Sequence, residues 1–218
     1  MSQPVAFITI GQTPRDDILP ELLPLLPADL AWQQFGVLDG MAEAEIADGS
    51  PRVGEERLVS RLRDGQEVVV GKRWLFERLE RLLARLDGEG YRALVLLCTG
   101  DFPAIRTRTL LLEAQGILDN LTDALAEGRR VGLMVPLAEQ CEEFAGKALR
   151  VSSLQVAHAS PYHGDRLAQA ADELSDCDLI VMHCLGYTEA MRADVSAATR
   201  RPVLLARRAL ASALAQVV

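Results

Sequence analysis

The 218-residue chain has no stretch of about 18 apolar residues, the least a membrane-spanning helix needs. It opens without the basic and long apolar regions of a signal peptide; the run Val5-Ala6-Phe7-Ile8-Thr9-Ile10 reads as a strand. The expectation is a cytosolic (cytoplasmic) protein with no membrane partner. Positive charge is not in surplus. The formal net charge is -8, so no field draws a phosphate backbone, and nucleic acid is not an expected partner. The four cysteines, Cys98, Cys141, Cys177 and Cys184, contain no C-x-x-C pair, which removes zinc-site spacing. In a cytosolic chain they read as free thiols. Neither a G-x-G-x-x-G fingerprint nor a phosphate-loop Lys-Ser/Thr follows a strand. No nucleotide, metal or other cofactor is called for.

What is present is an ordinary globular balance, 49% hydrophobic and 25% charged, enough for a sizeable core and against disorder. Short apolar runs alternate with amphipathic stretches, the pattern of βαβ units and parallel sheets. In the first half, strands are expected at Val5–Ile10, Trp32–Val37 and Ala93–Leu97. A helix should start after Gly11-Gln12, with Thr13 as its cap and Pro14 at its first position. Another should run from Arg73 to Asp87, with Leu75, Leu79, Leu82, Leu83 and Leu86 on one face. Between Leu38 and Lys72 lies an insertion whose Leu58–Leu62 and Glu67–Val70 segments flank Asp64-Gly65 like a hairpin. The second half repeats the order: strands at Val131–Val135, Leu154–Ala157, Leu179–Met182 and Val203–Ala206, with helices after Ala138, over Asp165–Leu174 and over Arg207–Ala215. The expected fold class is α/β, two similar parallel-sheet lobes over 1–127 and 128–218 with a cleft between them. Terminal elements are free to exchange between the lobes.

In open parallel sheets, ligands bind beyond the carboxyl ends of the strands. Gly11, Gln12, Thr13 and Arg15 should meet there with Thr99, Gly100, Ser160, Tyr162, Gly186, Tyr187 and Thr188. Free backbone N–H groups, hydroxyls and one guanidinium suit a small-molecule carboxylate. Cys98 and Cys184 are the sharp feature. Each ends a buried strand and is followed by x-Gly. A thiol at a helix N-terminus has a lowered pKa. Two thiols across a cleft can work as acid and base on opposite faces of one carbon. A lone cysteine ending a strand more often packs than reacts; the matched pair keeps both readings open. Cys141 and Cys177 lack that setting and read as structural. His183 precedes Cys184 and should point to the other face of its strand. His158 and His163 read as solvated, and Tyr162 and Tyr187 as packed rings with a polar tip.

The segments Thr9-Ile-Gly-Gln-Thr-Pro-Arg15, Asp64-Gly65, Val69-Val70-Gly71-Lys72-Arg73, Leu97-Cys98-Thr99-Gly100, Val135-Pro136 and Cys184-Leu185-Gly186-Tyr187 resemble the AroM family over nearly the whole chain. That family is similar in turn to the aspartate/glutamate/hydantoin racemase superfamily. The resemblance implies two α/β lobes around a cleft, with paired cysteines corresponding to Cys98 and Cys184. Relatives often carry an acidic residue before the second cysteine, where this chain has His183; no catalytic role is assigned to it.

The expected function is a cofactor-independent, racemase-like isomerase acting on an amino or hydroxy acid by cysteine proton transfer. A lyase or decarboxylase on the same fold is an alternative, as is a metabolite-binding or regulatory protein. The insertion either covers the cleft or forms the contact of a homodimer; its composition does not decide.

Overall fold

A computed structural model of the chain describes residues 3–218. The first lobe begins with β1 (Val5–Thr9), a short α1 (Leu19–Leu22) with a 3-10 turn after it, and β2 (Trp32–Gly36). The insertion supplies α2 (Glu43–Ala47), β3 (Arg57–Arg61) and β4 (Glu67–Gly71). Then come α3 (Lys72–Leu86), β5 (Ala93–Leu96), β6 (Leu110–Glu113) and α4 (Ala114–Ala126). The second lobe follows as β7 (Arg130–Val135), α5 (Glu139–Ala145), β8 (Ser153–His158), α6 (Leu167–Glu173), β9 (Leu179–Met182), α7 (Glu189–Thr199), β10 (Val203–Leu205) and α8 (Ala206–Ala215). No helix among the described residues is long and apolar enough to cross a membrane.

The two main sheets are wholly parallel, ordered β2-β1-β5-β6 and β8-β7-β9-β10. Numbered within each lobe, both read 2-1-3-4. The repeat is therefore topological, and β5 is the counterpart of β9. Their central strands are buried on both faces, as continuous apolar runs in parallel sheets must be. Alternation divides each strand between two cores. Val5, Phe7, Val95, Leu133 and Val181 face a central layer shared by the lobes, filled by α1, α4 and α8. Ala6, Ile8 and Leu96 face an outer layer in which α3 lays Leu75, Leu79, Leu83 and Leu86, spaced as one helical stripe. Met134, Ile180 and Met182 face the outer layer of the second lobe.

Two readings change at this level. Thr13 does not cap a helix, and Pro14 does not begin one. Thr13 turns its N–H and hydroxyl to the Asp39 carboxylate at 2.8 Å each, and the helix waits until Leu19, with Pro20 in its first turn. The stretch after Gly100, which carried no assigned strand or helix, forms β6 and the thirteen-residue α4. The hairpin is present: β3 and β4 pair antiparallel across the Asp64-Gly65 turn, where Gly65 has a φ of 91°.

Candidate active site

Beyond β5 and β9 the chain repeats the same local geometry. Leu97 N–H extends the ladder to Ile8 O at 2.7 Å, and His183 N–H does so to Met134 O at 2.9 Å. One residue on, Cys98 and Cys184 turn their thiols into a cavity of about 470 Å³ between the lobes. Gly100 N–H donates to Cys98 Sγ at 3.3 Å, and Gly186 N–H to Cys184 Sγ at 3.4 Å. Neither thiol begins a helix. β5 runs into a loop, and α7 is capped only at Thr188, so the helix-terminus activation expected from sequence is absent. Burial instead pushes Cys98 up to about 12 and Cys184 up to about 11; the glycine N–H groups and Arg15 pull in the opposite direction but lose.

Seven residues of the sequence-derived set line this cavity: Arg15, Cys98, Thr99, Gly100, Tyr162, Cys184 and Gly186. Arg15 is buried and already engaged. Its Nε and Nη2 grip Asp17 at 2.8 Å each, Nη1 donates to Thr9 Oγ1 at 2.6 Å and Ser60 Oγ at 3.2 Å, and Nη2 reaches Tyr162 Oη at 3.3 Å. It is a fixed cation beside both thiols rather than a free clamp for a ligand. Burial works against its charge, but the bonds to Asp17 and the field of Tyr162 outweigh that and hold it firmly protonated. Thr99 Oγ1 donates across the cleft to His183 O at 3.0 Å.

The remaining six lie outside the lining and support it. Gln12 donates to Leu38 O and accepts from Arg63 N–H, and Gly11 packs on Ser60 and Arg61. Thr13 holds Asp39 as described. Ser160 donates to Glu67 on β4 at 2.7 Å. Tyr187 is wholly buried with its hydroxyl on Ala159 O at 2.7 Å, and Thr188 accepts from Met191 N–H as the cap of α7. Cys141 and Cys177 do not line the cavity, although Gln140 and Glu142 on either side of Cys141 do; His158 Nδ1 lies 4.0 Å from Cys141 Sγ, and His163 is exposed 3.7 Å from Glu67. Among the described residues no group of three or more His, Cys, Asp or Glu is placed to hold a metal ion.

Sequence reasoning missed the hairpin's share. Arg57, Leu58, Val59 and Ser60 of β3, with Lys72, form one wall of the cavity. β3 is pinned to the second lobe by Arg57, whose carbonyl accepts from Gln140 Nε2 at 2.9 Å and whose N–H donates to Glu143. Arg61 lies over the Tyr162 ring, 5.9 Å from its centroid. The insertion covers the cleft. His183 was also missed: its side chain faces the central layer, as alternation requires, yet it lines the cavity because the strand ends there.

The fold and the paired loops define a two-lobed α/β protein with a parallel sheet in each lobe. Similar solved structures are an arylmalonate decarboxylase (17% identity, TM-score 0.62, 99% of this chain and 92% of that one), an allantoin racemase from Klebsiella pneumoniae (11%, 0.60, 99% and 87%) and the maleate isomerase Iso from Pseudomonas putida S16 (15%, 0.59, 98% and 92%). No curated protein sequence matches the chain. The AroM protein family profile matches residues 5–218, and the chain belongs to the AroM family.

Proposed function

We propose that this protein is a cofactor-independent, racemase-like isomerase that moves the α-proton of a small amino or hydroxy acid between Cys98 and Cys184. The observation that carries this reading is the matched pair of thiols at equivalent strand ends, each accepting a glycine N–H and both lining one cavity. A thiolate takes the proton from one face of the α-carbon, and the other thiol returns one to the opposite face. Burial raises both thiols and the charge of Arg15 beside them opposes it; the thiol that gives up its proton is the base and the other, still protonated, is the acid. Arg15 supplies the positive charge near both sulfurs, and the Tyr162 hydroxyl is the side-chain donor beside it that can turn to the substrate carboxylate.

A second reading is favoured by the burial that holds Cys98 protonated. In a decarboxylase, Cys98 alone would protonate the enolate left after loss of carbon dioxide, and a thiol held strongly protonated suits that step. One experiment separates the readings. Small amino and hydroxy acids, and their α-carboxylated counterparts, are incubated in D2O with the wild type, Cys98→Ser and Cys184→Ser. Exchange of the α-proton that needs both cysteines supports the isomerase. Carbon dioxide release that survives Cys184→Ser but not Cys98→Ser supports the decarboxylase. Binding without either reaction sinks both and leaves a metabolite-binding protein.

A further inference from the structure

The Cys184 loop is held from behind by a residue that does not line the cavity. Arg207 sits in the first turn of α8 and is 1% exposed. A buried guanidinium is costly, and a cation at a helix N-terminus meets the unfavourable end of the dipole. Its bonds show what offsets this. Nε and Nη2 donate to Leu185 O at 3.1 and 2.7 Å, Nη2 also reaches Gly186 O at 3.1 Å, and Nη1 meets Glu21 Oε2 at 2.7 Å. Glu21 comes from α1 in the first lobe, and the same oxygen accepts the N–H of Glu189 at the start of α7.

Leu185 O and Gly186 N–H belong to one planar peptide group. Arg207 grips its oxygen with two N–H groups, and its N–H donates to Cys184 Sγ at 3.4 Å. A peptide polarised at its oxygen is a stronger donor at its nitrogen. A hydrogen bond to the charged form of an acid favours that form. Arg207 thus acts on the sulfur along a path of fixed geometry. The charged groups around Cys184 are Arg15 and Asp17 from the loop after β1 and Arg207 from α8; its other titratable neighbours are Cys98, Tyr162 and Tyr187. Both arginines favour the thiolate and Asp17 opposes it.

The first lobe provides an internal contrast. There α4 follows β6 as α8 follows β10, and its second residue, the counterpart of Arg207, is Gln115. Gln115 is buried as well, but its amide donates along its own helix to Asp119 Oδ2 at 2.6 Å, and its oxygen has no partner. It does not grip the Thr99–Gly100 peptide, whose N–H serves Cys98. The fold therefore accepts a neutral amide at this position, and packing alone does not call for an arginine.

We propose that Arg207 is a positioning residue for Cys184: through the Leu185–Gly186 peptide it fixes the loop and stabilises the Cys184 thiolate, a support that Cys98 lacks. The inference rests on the reading of Cys184 as a thiol that ionises in the cleft.

The test is the rate at which iodoacetamide modifies each cysteine of the folded full-length chain near pH 9, read by mass spectrometry with Cys98 as the internal reference. Arg207→Gln, which copies Gln115, should slow Cys184 about fivefold relative to Cys98, the lost thiolate being partly offset by its greater nucleophilicity. Glu21→Gln keeps an acceptor for Arg207 and Glu189 but removes the charge that balances the guanidinium. It should speed Cys184 about twofold. A loop that is merely loosened would move Cys184 the same way in both variants. Opposite changes support the proposal. An unchanged or faster Cys184 in Arg207→Gln, or an unchanged or slower one in Glu21→Gln, overturns the positioning role and leaves the two-thiol reading intact. Because Glu21→Gln is decisive by itself, an Arg207→Gln chain that fails to fold does not spare the proposal. Thiols that both stay inert in the folded wild type overturn both.

Discussion

Ser160 in the second lobe donates its hydroxyl to Glu67 on the hairpin of the first at 2.7 Å. This bond ties the covering hairpin across the mouth of the cleft. Ser160→Ala should release the β4 end while the Arg57 contacts keep the β3 end in place. Hydrogen exchange of β3–β4 amides is expected to speed up by about fivefold, with α3 unchanged, given roughly 1 kcal/mol for the lost bond. Unaltered hairpin exchange would show that the bond does not hold the cover.

The raised thiols set a pH limit. An acid whose folded-state pKa is raised keeps its proton where the unfolded chain has lost it, so stability is constant below the unfolded value and falls above it. For Cys98 and Cys184 the window opens near the free-thiol value of about 8.5 and closes at about 11 for Cys184 and about 12 for Cys98. Within it, stability should fall by up to about 1.4 kcal/mol per pH unit per thiol. Urea midpoints from pH 7 to 10 would show the slope, and the Cys98→Ala, Cys184→Ala double variant should flatten it. Alkylation followed by mass spectrometry should modify Cys98 and Cys184 only well above the free-thiol value as pH rises.

Gly186 has no room for a side chain. A Cβ there would lie 2.7 Å from Pro161 Cγ and 2.9 Å from Tyr162 Oη. Gly186→Ala must displace the Tyr162 hydroxyl from Arg15 or shift the Cys184 loop. A loss of about 1–3 kcal/mol in urea unfolding is expected, together with weaker ligand binding. A variant as stable as wild type would mean that the Pro161-Tyr162 turn yields freely.

The Arg15–Asp17 pair is buried, with side-chain exposures of 4% and 16%. Burial alone would raise Asp17; its bonds to Arg15 outweigh that and hold it below the ordinary aspartate range. The stability this contributes is present above the unfolded aspartate value of about 3.9 and is lost as pH falls through the lower folded value. Asp17→Asn leaves a buried guanidinium without its anion and should cost about 3–5 kcal/mol at pH 7. The gap between variant and wild type should close as the pH is lowered below that value; a gap constant down to pH 2 would refute the pairing argument.

The strands were legible where burial and chemistry agreed. Ala93–Leu96 and Leu179–Met182 are continuous apolar runs, and only a strand covered on both faces makes sense of them. The matched Cys-x-Gly endings pointed to the same place in both lobes. The loop after β1 was harder to read. Gln12 and Thr13 have the chemistry of an anion-binding turn, but Asp39 and the hairpin, distant in sequence, claim their polar atoms. Arg15 offered a free cation in sequence, and Asp17, two residues away, takes it. The wall formed by β3 was invisible for a different reason: Leu58, Val59 and Ser60 carry no signature, and only the hairpin's crossing to Gln140 and Glu143 brings them to the thiols. β6 was lost because Leu110–Glu113 is short and partly exposed, with no turn signal to mark it.

Two halves with one strand order would make a cleft that looks nearly alike from either side, and a small acid could settle in it either way round. The hairpin rises from one half only, and it lands on the other. A ligand closed beneath it meets a wall of Arg57, Leu58 and Ser60 on that side alone. The insertion thereby gives a nearly symmetrical chamber a front and a back.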